Sequence, residues 1–192
     1  MNHMIDVYET PPVLENERYL IRFIRKEDCD DLLCVYSDEK AVPFFNSDNC
    51  NGDDFHYTTK ERMCKAIDFW LREYGCRYYV RFAICDKRKN NAAIGTIEIF
   101  NRQADDFFTD CGLLRLDLRS DYEQEEEIGN LLSLIVSPFF SLFSCSMIAT
   151  KAIPAAEERI AALKTFGFEL STEPLIGGHD GTAYGDYWIL KQ

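Results

Sequence analysis

The sequence predicts one α/β domain built on a mixed sheet, and three observations carry that expectation. Short stretches with period-two apolar alternation recur between stretches whose apolar residues fall at helical spacing. One strand-like run, Leu113 to Leu118, passes through a short turn into a long apolar helix. The 192 residues, 46% of them apolar, contain no internal repeat, low-complexity tract or linker, which suits a single core.

The elements follow in order. Residues 1–13 form a lead-in in which Pro11-Pro12 discourages regular structure, and 14–192 form the domain. Tyr19 to Ile24 reads as a strand. Glu27 to Asp38 reads as a helix, with Leu32, Leu33 and Tyr36 on one face. Ala41 to Tyr57, rich in Asn, Asp and Gly, is a loop long enough to carry function. Thr58 or Thr59 caps the next helix, which Gly75 stops. Tyr78 to Cys85, Ala93 to Phe100 and Leu113 to Leu118 are strands. The helix after Gln124 runs to Phe143, with a bend or break expected at Pro138. Ser146 to Lys151 is a strand, Ala155 to Phe166 a helix ended by Gly167, and Phe168 to Leu170 and Tyr184 to Leu190 are the last strands.

Charge bounds the partners. Thirty-three acidic residues against 21 basic give −12, a surface that repels nucleic acid and anionic membranes and weakly favours amines. With no signal peptide and no apolar run of membrane-spanning length, the expected setting is the cytoplasm. The eight cysteines form no C-x-x-C pair, so reduced thiols are expected. His3, His56 and His179 stand at no ligand spacing with a cysteine pair, so no metal is expected.

The strand, turn and helix from Leu113 onward make an anion site in outline, because free backbone N–H groups and the helix dipole converge there. Yet the turn carries Glu123, Glu125, Glu126 and Glu127. Acidic residues in a first helical turn also complement the dipole with no ligand present. The turn fits either a phosphate site or a helix start that binds nothing.

Four segments, in this order, resemble the Gcn5-related N-acetyltransferases (GNAT), in particular the ribosomal-protein alanine acetyltransferase branch. They are Leu14 to Arg22 with Glu27-Asp28, then Ala93-Ile94-Gly95-Thr96-Ile97-Glu98-Ile99, then Gln124 to Gly129, then Ala162 to Phe168. The resemblance implies a mostly antiparallel central sheet flanked by helices and direct attack of an amine on acetyl-CoA. It seats the pantetheine arm along Leu116, Asp117 and Leu118, and the pyrophosphate on the N–H groups of Gln124, Glu125, Glu126, Glu127, Ile128, Gly129 and Asn130. Three positions depart from the family pattern: Glu127 replaces a loop glycine, Ala156 an asparagine, and Leu163 a tyrosine that serves many relatives as general acid.

For the chemistry, Glu98 is the first candidate base and Asp117 the second; either could instead face solvent. Tyr184 and Tyr187 are candidates for proton donation or substrate contact, or half-buried packing residues. Phe45, Asp53, Asp54 and His56 in the long loop are candidate substrate contacts, against a bland reading as loop residues. The implied partner is an amine-bearing small molecule or a protein N-terminus, with the chain as monomer or homodimer. The alternative is an acetyltransferase-like domain that has lost coenzyme binding and serves as a binding module.

Overall fold

The computed structural model describes residues 6–192. The first five residues of the expected lead-in, His3 among them, lie outside that range. The rest of the lead-in is anchored: Val7 is buried in the main core, and Tyr8 stacks on Tyr74 at 5.9 Å.

Eight strands form one sheet. In chain order they are β1 (Leu14–Glu15), β2 (Tyr19–Phe23), β3 (Val80–Asp86), β4 (Ala92–Arg102), β5 (Cys111–Leu118), β6 (Met147–Lys151), β7 (Glu169–Leu170) and, after a separate two-stranded sheet, β10 (Tyr187–Lys191). The spatial order is β1-β2-β3-β4-β5-β6-β10-β7. Every neighbouring pair is antiparallel except β5 and β6. The small sheet pairs β8 (Leu175–Ile176) with β9 (Ala183–Tyr184). The sequence reading joins β9 and β10 into one strand. The structure breaks them at Asp186, whose φ of 63° no strand residue adopts.

Helices cover both faces. On one lie α1 (Cys29–Tyr36) and α2 (Lys60–Gly75); on the other lie α3 (Glu125–Leu142) and α4 (Glu157–Thr165). Thr59 caps α2, its hydroxyl accepting from the Arg62 N–H at 3.2 Å, a contact worth about 1 kcal/mol. In α3, Ile128, Leu131, Leu132, Ile135 and Phe139 are fully buried at helical spacing. Each contributes about 1.5–3 kcal/mol. That burial offsets the backbone cost of Pro138, and the helix runs through it to Leu142 without the expected break. Gly95 of β4 lies where a Cβ would stand 2.3 Å from the Asp117 carbonyl oxygen, so only glycine fits between β4 and β5.

The expectation of eight reduced thiols needs correcting. Cys29 and Cys64 are joined, with Cα atoms 5.6 Å apart, and the other six cysteines are free. The bridge ties the first turn of α1 to α2 across 35 residues of sequence. No spacing rule could have paired them.

Candidate active site

The site begins where the sheet opens. The β5–β6 pairing runs from Cys111↔Met147 to Leu114↔Thr150 and stops. Beyond Leu114, β5 keeps its partner β4 as far as Leu118, while its other edge faces a gap. Leu116 and Leu118 turn their side chains into the α3 core. Asp117 turns to the opposite face.

That edge is occupied by another part of the chain. Arg159, in the first turn of α4 and 2% exposed, donates from Nη1 to the Leu116 carbonyl at 2.8 Å and to the Phe44 carbonyl at 3.4 Å. Glu123 grips it with two bonds, Nε to Oε1 at 2.6 Å and Nη2 to Oε2 at 2.7 Å. The guanidinium therefore spans from β5 to the α1–α2 loop across the expected pantetheine path. A similar substitution occurs at the α3 entrance. There the Glu125 N–H donates to the carboxylate of Glu158 at 2.9 Å, so an internal anion sits on a backbone donor expected to meet pyrophosphate.

The glutamates of the turn divide. Glu125 and Glu126 are exposed and, with Gln124, Gly129, Glu158 and Phe166, line an open cleft of about 750 Å³. Glu127 points the other way. Its carboxylate accepts from the Tyr19 hydroxyl and pairs with Arg18 at 3.0 Å. It therefore does not block the cleft. Ile128 is core, and Asn130 accepts from the Asn16 amide at 2.7 Å.

Beneath α1 and α2, on the sheet's other face, lies a buried charge network. Glu98, 2% exposed, bonds both Arg81 and Arg115. Arg81 also donates to Thr96 at 3.0 Å and the Tyr36 hydroxyl at 3.1 Å, and approaches Asp117 at 3.4 Å. Tyr36 donates to Asp117 at 2.8 Å. This corrects the solvent-facing alternative for both carboxylates. Burial would raise the Glu98 carboxyl, but Arg115 and Arg81 outweigh it and hold the group below the usual range. A carboxylate so stabilised makes a poor base. Burial raises the Asp117 carboxyl against the pull of Arg81 and the Tyr36 hydrogen bond, yet Asp117 is 0% exposed and lines neither the α3 cleft nor the cavity above this network.

Over this network opens a second cavity of about 890 Å³. Arg81, Glu98 and Arg115 line it with aromatic walls from Phe55, Trp70 and Tyr187 among others. Tyr187, not Tyr184, reaches it. The Tyr187 hydroxyl donates to Asp48 at 3.1 Å and accepts from the Asn46 amide at 3.2 Å, and burial pushes its phenol upward. Tyr184 bonds Asp180 within its own hairpin. In the long loop, Asp53, Phe55 and Tyr57 face the cavity, while Asp54 and His56 do not line it and Phe45 is buried against Tyr36 at 5.1 Å. Strand-end and loop side chains one residue apart point opposite ways, which composition does not reveal. Arg159 also went unseen: an arginine in a helix's first turn reads as solvated, and its one hint is the acidic turn it faces. Among the described residues no helix is long and apolar enough to cross a membrane.

No protein-family model matches the sequence, and no curated protein does. Solved structures do match. A GNAT-family acetyltransferase from Bacillus anthracis is 12% identical with a TM-score of 0.66, over 94% of this chain and 98% of that one. A ribosomal-protein alanine acetyltransferase from Vibrio fischeri is 18% identical with a TM-score of 0.64, over 94% and 96%. The ribosomal-protein acetyltransferase RimL, solved in complex with coenzyme A, is 11% identical with a TM-score of 0.66, over 94% and 98%. A sheet with one parallel pair that opens beside a helix entrance, overlapping these structures almost end to end, gives the chain the fold of the Gcn5-related N-acetyltransferases.

Proposed function

We propose that the chain is an N-acetyltransferase that uses acetyl-CoA, with a coenzyme groove held shut by the Arg159–Glu123 latch until the coenzyme displaces it. The observation that carries this reading is the Leu116 carbonyl. It lies on a strand edge with no β partner and is satisfied by a side chain that can swing away. With Arg159 out, Leu116 and Leu118 would offer main-chain groups to an extended arm, while the main chain of Asp117 stays turned to β4. The α3 entrance, with Gln124 and Gly129 in place and Glu127 turned aside, would offer N–H groups to a diphosphate. Bound there, the coenzyme would supply an activated acetyl group. The chain's own part is to hold an amine in the second cavity and to keep a protonated donor, Tyr187, in its lining. Glu98 and Asp117 then orient Arg81 and do not take the proton themselves. The acceptor is an amine-bearing small molecule or a protein N-terminus, and the setting is cytoplasmic.

A second reading has its own observation. Arg159 and Glu158 together cover both places where the coenzyme would touch backbone, which suits a domain that has given up coenzyme binding and works as a binding module. Isothermal titration with acetyl-CoA separates the two. Binding by the wild type supports the enzyme, and no heat at millimolar coenzyme from either the wild type or Arg159→Ala supports the module.

A further inference from the structure

The second cavity carries an inference that can be tested without coenzyme; under the enzyme reading it deepens the acceptor assignment, because the amine held there would have to carry an anionic group as well. Its floor is unevenly charged. Arg81 and Arg115 share a single carboxylate, Glu98, and Asp117 lies behind Arg81, beyond reach of Arg115. A guanidinium has five N–H donors. Arg115 commits two, to Glu98 and to the Asp48 carbonyl at 2.9 Å. Its Nε is buried with no partner, as is the Nε of Arg81. Those two Nε groups are sealed from the cavity, but the Arg115 side chain is 11% exposed and lines it, so the N–H groups still uncommitted on Nη1 and Nη2 are the donors that a ligand would meet.

The other arginines lining the cavity are already matched. Arg62 pairs with Asp53 at 2.6 Å and Arg102 with Asp106 at 2.6 Å; of the other lining carboxylates, Asp48 pairs with Lys151 at 2.6 Å and Glu73, near the Phe69 and Tyr78 side of the lining, is in no ion pair among the described residues. Arg115 is thus the cation of the lining whose partner is divided. The walls above it are aromatic: Phe55, Tyr57, Phe69 and Tyr78 among the lining residues, with Phe69 43% and Tyr78 63% exposed at the rim. Phe55 holds a φ of 61° with its ring buried in that wall, a conformation rare for an aromatic residue and kept where surrounding structure demands it. The volume, about 890 Å³, suits a small organic molecule.

We propose that this cavity is a binding site for a small organic carboxylate with an aromatic body, its carboxylate on Arg115 and its ring against Phe55 and Phe69. Two oxygens in a plane match a guanidinium fork, and a flat ring matches the walls.

The probes are 3-phenylpropionate, its neutral amide and phenethylamine, titrated calorimetrically into the full chain without coenzyme. The acid is expected to bind at least tenfold more tightly than the amide and than the amine. Arg115→Gln, checked for an intact melting transition, should abolish that preference; Arg81 still faces Glu98 in this variant. Phe69→Ala, at the exposed rim where folding does not depend on it, should weaken acid and amide alike. No binding of the acid at millimolar concentration overturns the proposal, as does amide or amine binding as tight as the acid. So does an acid preference that survives Arg115→Gln, or affinity for acid and amide that Phe69→Ala leaves unchanged. If Arg115→Gln fails to fold, the wild-type comparison and Phe69→Ala decide alone. Because no coenzyme is present, failure here leaves the acetyl-CoA reading untouched, and failure of that reading leaves this one untouched.

Discussion

Replacing Arg159 with alanine should make the chain bind acetyl-CoA more tightly, and the size of the gain follows from the latch. Arg159 is 2% exposed and makes two short bonds to Glu123 and one to the Leu116 carbonyl. Separating the partners of a buried ion pair costs about 3–5 kcal/mol. Glu123 sits in a turn and rehydrates once freed, so the lower end of that range applies. A coenzyme that must open the latch therefore loses about 3 kcal/mol, or roughly a hundredfold in affinity at 1.4 kcal/mol per tenfold. Isothermal titration of acetyl-CoA into Arg159→Ala should show that hundredfold back. A rival role gives the opposite sign. If Arg159 instead greets the diphosphate, its loss removes a favourable charge pair worth about 1 kcal/mol at 4 Å in water and several times that where screening is poor, and binding weakens. Equal or weaker binding by the variant refutes the latch. A double-mutant cycle with Glu123→Gln supplies a check that needs no ligand, since the two sites should couple by at least about 2 kcal/mol in urea unfolding.

Three further outcomes are expected. Glu98→Gln leaves Arg81 and Arg115 without their shared carboxylate and should lower stability by about 3–5 kcal/mol at neutral pH, whereas Asp117→Asn keeps an acceptor for Tyr36 and should cost about 1 kcal/mol or less. Their pH slopes oppose each other. Glu98 has a folded pKa below its ordinary 4.5, so its contribution is present above that value and is lost as pH falls through the lower folded one. Asp117 is raised above 3.8, so it favours the folded state at low pH and that contribution fades as pH rises through its folded value. Urea titrations of both variants from pH 3 to 7 test the pair of signs. Second, thiol titration of unreduced, denatured protein should count six free thiols, matching the six free cysteines, and Cys29→Ser should cost about 2–4 kcal/mol; a count of eight would remove the bridge. Third, Gly95→Ala should cost about 1–3 kcal/mol or more in thermal or urea unfolding, because its Cβ meets the Asp117 carbonyl oxygen at 2.3 Å; a neutral result would mean that β4 and β5 are further apart than described.

Much of the scaffold was legible because apolar periodicity records which face is buried. The runs around Ile21, Ile84, Ile97 and Leu116 announced strands, and Ile128 to Phe139 announced α3. What escaped was set by neighbours distant in sequence. Pro138 reads as a breaker, yet the packing of Phe139 and Phe140 outweighs it. Glu127 reads as an obstacle to phosphate, until Tyr19 and Arg18 draw it to the opposite side. Glu98 was singled out for its charge; only the placement of two arginines around it shows that the charge is already in use. Asp54 and His56 were singled out along with Asp53, and Phe55 was not, because side-chain direction in an irregular loop follows no period.

The two outermost strands, β1 and β7, are two residues long apiece. Glu15 on the first is held by Lys87 at 2.5 Å. A second chain arriving at either margin would find room for only a couple of ladder bonds, beside a charged pair at the β1 end. If this protein self-associates, helix faces or loops must provide the adhesion, and growth of the β-layer into fibres meets a barrier written into the first and seventh strands.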